Sequence, residues 1–316
     1  MRGGIRRGGD RRQPRGGVAA PVGRPARRGM SDESRVGLAR SGRIALAALV
    51  AIAIGVLVVP ALSSRDPLLI QDVLARRLVP PFARDGAGAW HLLGTDRFGR
   101  DLFVRMMLAG RLSLLVGVIG AGLSGAVGTL MGAIAGWWAG HAVDRAITAV
   151  ADVLLALPRL VLLLVGVALW PPGVYTILVV LVLTGWMGVA RLVRAEVRTV
   201  RERPYVPAAQ ALGASQVRVL ARHVLPNAIG PALVATTLGV GNAILLESGL
   251  SFLGLGIQPP APSWGNMISG GRDLLVVAPW VSLAPGIALV VTVLATTTLG
   301  DAWRDRLAGE RSGNGF

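Results

Sequence analysis

Ile44-Ala-Leu-Ala-Ala-Leu-Val-Ala-Ile-Ala-Ile-Gly-Val-Leu-Val-Val-Pro-Ala-Leu62 runs for 19 residues without a charge. As a helix it spans about 30 Å of hydrocarbon at 1.5 Å per residue. The pattern recurs along the chain. Leu112–Val143 holds no charge over 32 residues, more than one span needs, so a turn or interfacial stretch is expected around Gly136-Trp-Trp-Ala-Gly140. Ala146–Ala190 is apolar but broken at Trp170-Pro171-Pro172-Gly173, where two prolines and a glycine stop a helix. It therefore reads as spans 146–170 and 174–191. Ala228–Leu250 makes a fifth span and Leu274–Gly300 a sixth. The fold class is all-α, a polytopic membrane bundle of six transmembrane helices.

Composition agrees. Of 316 residues, 53% are hydrophobic and 16% charged, against about 25% charged in soluble domains. A typical cytosolic enzyme and a disordered chain are both excluded. Cysteine is absent, so there is no disulfide framework and no thiolate chemistry. All 33 basic residues are Arg, so a Walker-type loop, which requires Lys, is excluded.

Charge orders the remaining segments. Residues 1–43 carry twelve Arg and three acids and read as a cytoplasmic, disordered Arg/Gly-rich tail facing anionic lipid. Arg-Gly-Gly triplets begin at Arg2, Arg7 and Arg15, but no stacking aromatics accompany them, so nucleic acid is not an expected partner. Residues 44–62 form the first span, 63–111 an extracytoplasmic segment, 112–302 the core and 303–316 a cytoplasmic tail. With the N-terminus inside, cytoplasmic segments hold 23 Arg and external ones 9, which agrees with the positive-inside rule.

A basic loop at 191–226 stands out, because long loops in compact bundles are often functional. It contains Tyr205-Val-Pro-Ala-Ala-Gln-Ala-Leu-Gly-Ala-Ser215 and then Arg222-His-Val-Leu-Pro226. Pro207 suits the first position of a helix, Ala208, Ala209, Ala211 and Leu212 favour one, and Gly213 lets the chain turn out. The product is a short helix with small residues on one side, which another surface can approach closely. An ordinary amphipathic connector fits the same residues.

The loop resembles the cytoplasmic coupling segment of permease subunits in binding-protein-dependent ABC importers. Ala208, Ala209, Gly213, Leu225 and Pro226 match that motif; Pro207 occupies its Glu position and His223 its downstream aliphatic one. His91-Leu-Leu-Gly-Thr-Asp-Arg-Phe-Gly-Arg-Asp101 and Ser251-Phe-Leu-Gly-Leu-Gly-Ile-Gln-Pro-Pro-Ala-Pro-Ser-Trp-Gly-Asn-Met267 are similar to signatures of the C-type dipeptide, oligopeptide and nickel permeases. The likeness covers about residues 90–306. It implies a type I ABC importer transmembrane fold in a bacterial inner membrane with both termini cytoplasmic. The implied partners are a homologous second permease, two ATPase subunits and an extracytoplasmic solute-binding protein. Tyr205, Pro207, Ala208, Ala209, Ala211, Leu212, Gly213, Ala214, His223, Leu225 and Pro226 are then ATPase-coupling residues. The chain itself would hold no cofactor, ATP and Mg²⁺ lying on the ATPases.

Asp152, Arg159 and Glu247 fall inside spans, where a charge costs about 2.5–3.5 kcal/mol on insertion scales. They are expected in the translocation pathway or at a subunit interface. Asp152 and Arg159, seven residues apart, should share a helix face about 10 Å apart, and Pro158 permits a kink. Asp96 and Asp101 read as turn caps or as oxygen ligands for a hard cation, while His91 and His141 read as loop residues. No catalytic triad or metal spacing is present. The competing function is an ATP-independent transporter or channel, for which inverted repeats are expected and none is evident.

Overall fold

The computed structural model describes residues 32–63, 66, 68–70 and 73–313. The Arg-Gly-Gly triplets lie outside them. Helix α1 (Asp32–Leu62) begins twelve residues before the apolar run, within the segment read as a disordered tail, because an established helix propagates far more easily than it nucleates. A short α2 (Val73–Arg76) and the antiparallel hairpin β1 (Ala83–Arg84)/β2 (Trp90–His91) follow.

Helix α3 (Leu102–Trp137) starts ten residues ahead of the uncharged run. The Asp101 carboxylate accepts the Val104 N–H and so sets its N-terminus. Trp138–Gly140 make the expected turn into α4 (Ala142–Ala156), and α5 (Arg159–Leu169) comes next. The span read as continuous over 146–170 is instead broken by 95° at Leu157–Pro158. The residue before a proline is driven from the helical region, and Leu157 sits at φ −90°, ψ 140°. Asp152 and Arg159 therefore lie on different helices, and the shared-face expectation fails.

Helix α6 (Val174–Arg201) runs on into the first part of what read as loop. The rest of that loop is α7 (Tyr205–Ala211), α8 (Gln216–Val219), a π-turn at Leu220–Val224 and α9 (Leu225–Ala228). Then come α10 (Gly230–Phe252), α11 (Trp264–Gly270) and α12 (Trp280–Gly313), the last extending into the segment read as a C-terminal tail. Among the described residues five helices are long and apolar enough to cross a membrane, or six with the bent α4–α5 pair counted as one.

Small residues set the packing. Gly128, Gly132 and Gly136 fall one turn apart on α3, and a Cβ at Gly136 would sit 2.8 Å from the Arg194 carbonyl oxygen of α6. Close backbone approach through small-xxx-small spacing is how membrane helices gain dispersion contact without a hydrophobic drive.

The hairpin end is tied by buried polar groups. Asp96 takes the Phe98 and Arg100 N–H groups and the Arg100 guanidinium at 2.7 Å, so both sequence carboxylates, Asp96 and Asp101, cap backbone. His91 is not a loop residue: it is buried in β2, with Nδ1 2.8 Å from Asp101 and Nε2 3.3 Å from Asp85. Burial pushes the Asp85 carboxyl up, but N–H donation from Ala89 and Ala87, His91 and the Arg76 charge together hold it below its ordinary value.

Candidate functional site

The opposite end of the bundle carries α7. Pro204 occupies the N-cap, so Pro207 stands third in the helix rather than first; its missing N–H is still harmless there, since the first-turn donors have no helical partner. Gly213, at φ +86°, ends the helix. Its N–H donates to Gln210 and that of Ala214 to Ala209, at 2.9 and 3.2 Å. This is a Schellman closure, which needs a left-handed residue.

Val206, which sequence reasoning passed over, anchors the segment. It is 1% exposed and lies in one apolar cluster with Trp137 of α3, Val193, Val197 and Val200 of α6, and Val219 and Val224. Ala209, Ala214 and Leu225 pack against the same cluster. Tyr205, Pro207, Ala208, Ala211, Leu212 and Gly213 face outward, Leu212 at 90% exposure, as do His223 and Pro226. The expected coupling residues thus divide into an inward row and an outward row. The spacing of Val206 and Ala209, three apart on one helical face, was the available signal.

Two ties make this end stiff. The Arg201 guanidinium donates to the Trp137 carbonyl oxygen at 2.5 Å and lies over its ring. Arg194 donates twice to buried Asp144, at 2.5 and 2.9 Å, linking α6 to α4. Asp144 also accepts the Gly140 N–H, so it serves the turn as well as the pair.

The intramembrane charges separate. Asp152 pairs with Arg191 at an exposed site on the bundle surface. Glu247 is fully buried and accepts hydrogen bonds from Ser113, Ser248 and Ser251 at 3.0, 3.2 and 2.7 Å. Ser113 in turn accepts the Trp264 N–H, so Glu247 joins α3, α10 and α11. Arg159 lies apart from both, beside a small cavity.

Residues 128–310, including all of this end, match the family model described as binding-protein-dependent transport system inner membrane component. The chain belongs to that family. A Brucella suis biovar 1 protein named as a peptide permease is 45% identical over 229 residues, covering 71% of this chain and 74% of that protein. The Bacillus subtilis oligopeptide transport system permease protein OppC is 39% identical, with 69% and 71% coverage. The Alkalihalophilus pseudofirmus dipeptide transport system permease protein DppC is 40% identical, with 70% and 73% coverage. An inward-facing MetNI methionine ABC transporter aligns over 63% of this chain and 93% of that one at TM-score 0.48 and 19% identity, too loose a match to locate any residue. The permease is a multi-pass transport component, and its family favours an ABC importer over the ATP-independent transporter.

Proposed function

We propose that this permease imports peptides, dipeptides or oligopeptides, across a bacterial inner membrane, driven by ATP hydrolysed on two separate ATPase subunits. The peptide class rests on the names of its relatives. A second, homologous permease completes the passage, and an extracytoplasmic binding protein delivers the cargo. The chain binds no cofactor of its own; ATP and Mg²⁺ stay with the ATPases. The α7 end faces the cytoplasm, with both chain termini on that side.

One observation carries the mechanism: α7 is held by Val206 in the cluster shared with α3 and α6, while Pro207, Ala208, Ala211 and Leu212 present a small, apolar, outward face. A groove on an ATPase would seat that face. Movement of the groove then turns the ends of α3 and α6 with it, because Val206 anchors α7 in their shared cluster, while the Arg201–Trp137 tie and the Arg194–Asp144 pair hold α6 to α3 and α4. Alternating access follows when these ends shift between two packed arrangements.

Ala211→Trp tests the docking. The Ala211 side chain is exposed, so the fold should survive while the groove is obstructed. In proteoliposomes holding the assembled transporter, ATP-driven uptake is expected to fall by about tenfold or more, equivalent to about 1.4 kcal/mol of lost docking. Undiminished uptake would overturn the docking role. Gly213→Val is a less clean probe, because it adds left-handed strain of about 1–2 kcal/mol.

A further inference from the structure

Among the described residues neither a hydrogen bond nor an ion pair reaches Arg159, and its Nε is wholly buried. The acids of the neighbouring spans are engaged elsewhere: Asp144 with Arg194, Asp152 with Arg191, Glu247 with three hydroxyls.

Its surroundings are mostly small groups, with Leu181 and Val189 the larger neighbours. A cavity of about 50 Å³ is lined by Arg159 with Gly120, Ser124 and Gly125 of α3, Gly185 of α6, and Thr236 and Gly239 of α10. The guanidinium lies over Gly185, one terminal nitrogen 3.1 Å from where a Cβ would stand. Gly185 is the twelfth of 28 residues in α6 and Gly239 the tenth of 23 in α10, so the cavity sits near mid-depth. The Thr236 hydroxyl also has no hydrogen bond among the described residues. No acidic residue lines the cavity.

Every feature asks for an anion. Arg is a donor without acceptor capacity, and the free hydroxyl of Thr236 can add a second donor. Arg159 also opens α5 immediately after the break at Pro158, where the unpaired N–H groups of the first turn are partially positive and a cation is disfavoured. A cation kept there, unneutralised, in a span is a functional expense of the kind that marks a substrate pathway.

We propose that Arg159, with Thr236, is a carboxylate-binding subsite in the passage, and that it takes the C-terminal carboxylate of the cargo peptide. This deepens the peptide-import reading and rests on it. The space fits a carboxylate-sized group. Arg is suited to the role because its planar fork matches a carboxylate with two parallel hydrogen bonds.

The test measures equilibrium binding of one radiolabelled peptide, as free acid and as C-terminal amide, to the assembled permease–ATPase complex without binding protein. The wild-type complex should prefer the acid by about tenfold or more, as expected for loss of a charge-assisted hydrogen bond. Arg159→Gln should abolish the preference by weakening the acid alone, and Arg159→Lys should restore part of it, which a purely structural Arg would not do. Equal wild-type affinities, or a preference that survives in Arg159→Gln, would overturn the subsite. So would separation of the two permeases in Arg159→Gln on size exclusion, which assigns Arg159 to an ion pair across their interface. Peptide uptake by the complete transporter is scored in parallel. Its absence sinks the peptide reading, whereas uptake without acid preference sinks only the subsite.

Discussion

At the scale of single residues, the intramembrane charges show how little a one-dimensional position says about a role. Asp152, Arg159 and Glu247 look alike in the sequence, each a charge in an apolar run. The fold gives them an exposed pair, an unsatisfied cation and a sealed hydroxyl cage. Glu247 works as a joint, since Ser113, Ser248 and Ser251 come to it from two helices. Glu247→Leu should lower the stability of the detergent-solubilised permease by about 2–3 kcal/mol, because three buried hydroxyls lose their acceptor. Glu247→Gln should cost less than half as much, since its amide oxygen still accepts. A thermal unfolding midpoint unchanged in Glu247→Leu, with uptake lost, would return this residue to the pathway.

At the scale of elements, the spans were legible and their limits were not. Apolar length reports what the bilayer requires, and it correctly located α1, α3, α6, α10 and α12. Hydrogen bonding, however, continues a helix past the point where hydropathy ends, so α6 runs on to Arg201 and α3 begins at Leu102. The 95° corner at Pro158 was legible only as a permitted kink. Its size follows from packing, since α4 is fastened by Asp144 to the C-terminal half of α6 while α5 lies against the N-terminal half. That fastening is testable. Arg194→Ala should destabilise by about 1–3 kcal/mol, less than for a fully buried pair, because the Arg194 side chain is 29% exposed and Asp144 keeps other donors. Asp144→Asn should cost less, because its one amide oxygen still accepts from either Gly140 or Thr148, which bond to different carboxylate oxygens. Chemical denaturation of the two variants and of the double variant gives the coupling directly; additive effects would mean the pair does no joint work.

At the scale of the whole molecule, the α7 end behaves as one body because the same cluster holds the ends of α3 and α6 together with Val206, Val219 and Val224. Val206→Asp should leave the outward face unchanged in sequence but free α7 from the bundle, burying an unpaired carboxylate or expelling the helix. The expected outcome in proteoliposomes is uncoupling: ATP is still hydrolysed, while uptake per ATP falls by about tenfold, as for a lost coupling free energy of about 1.4 kcal/mol. Retained coupling would show that α7 transmits motion without its anchor.

By itself, the sequence determined that this chain lives in a membrane as an apolar helical bundle, because no other structure satisfies so long an uncharged backbone in lipid. It also determined where a short helix would project, through Pro207, the alanines after it and a glycine able to adopt positive φ at 213. Only the tertiary structure decided which of that helix's residues face inward, which charges find partners and which remains bare. Those outcomes depend on groups far apart in the chain, as in the reach of Ser113 to Glu247 or of Asp144 to Arg194, and no local spacing encodes the meeting of two helices.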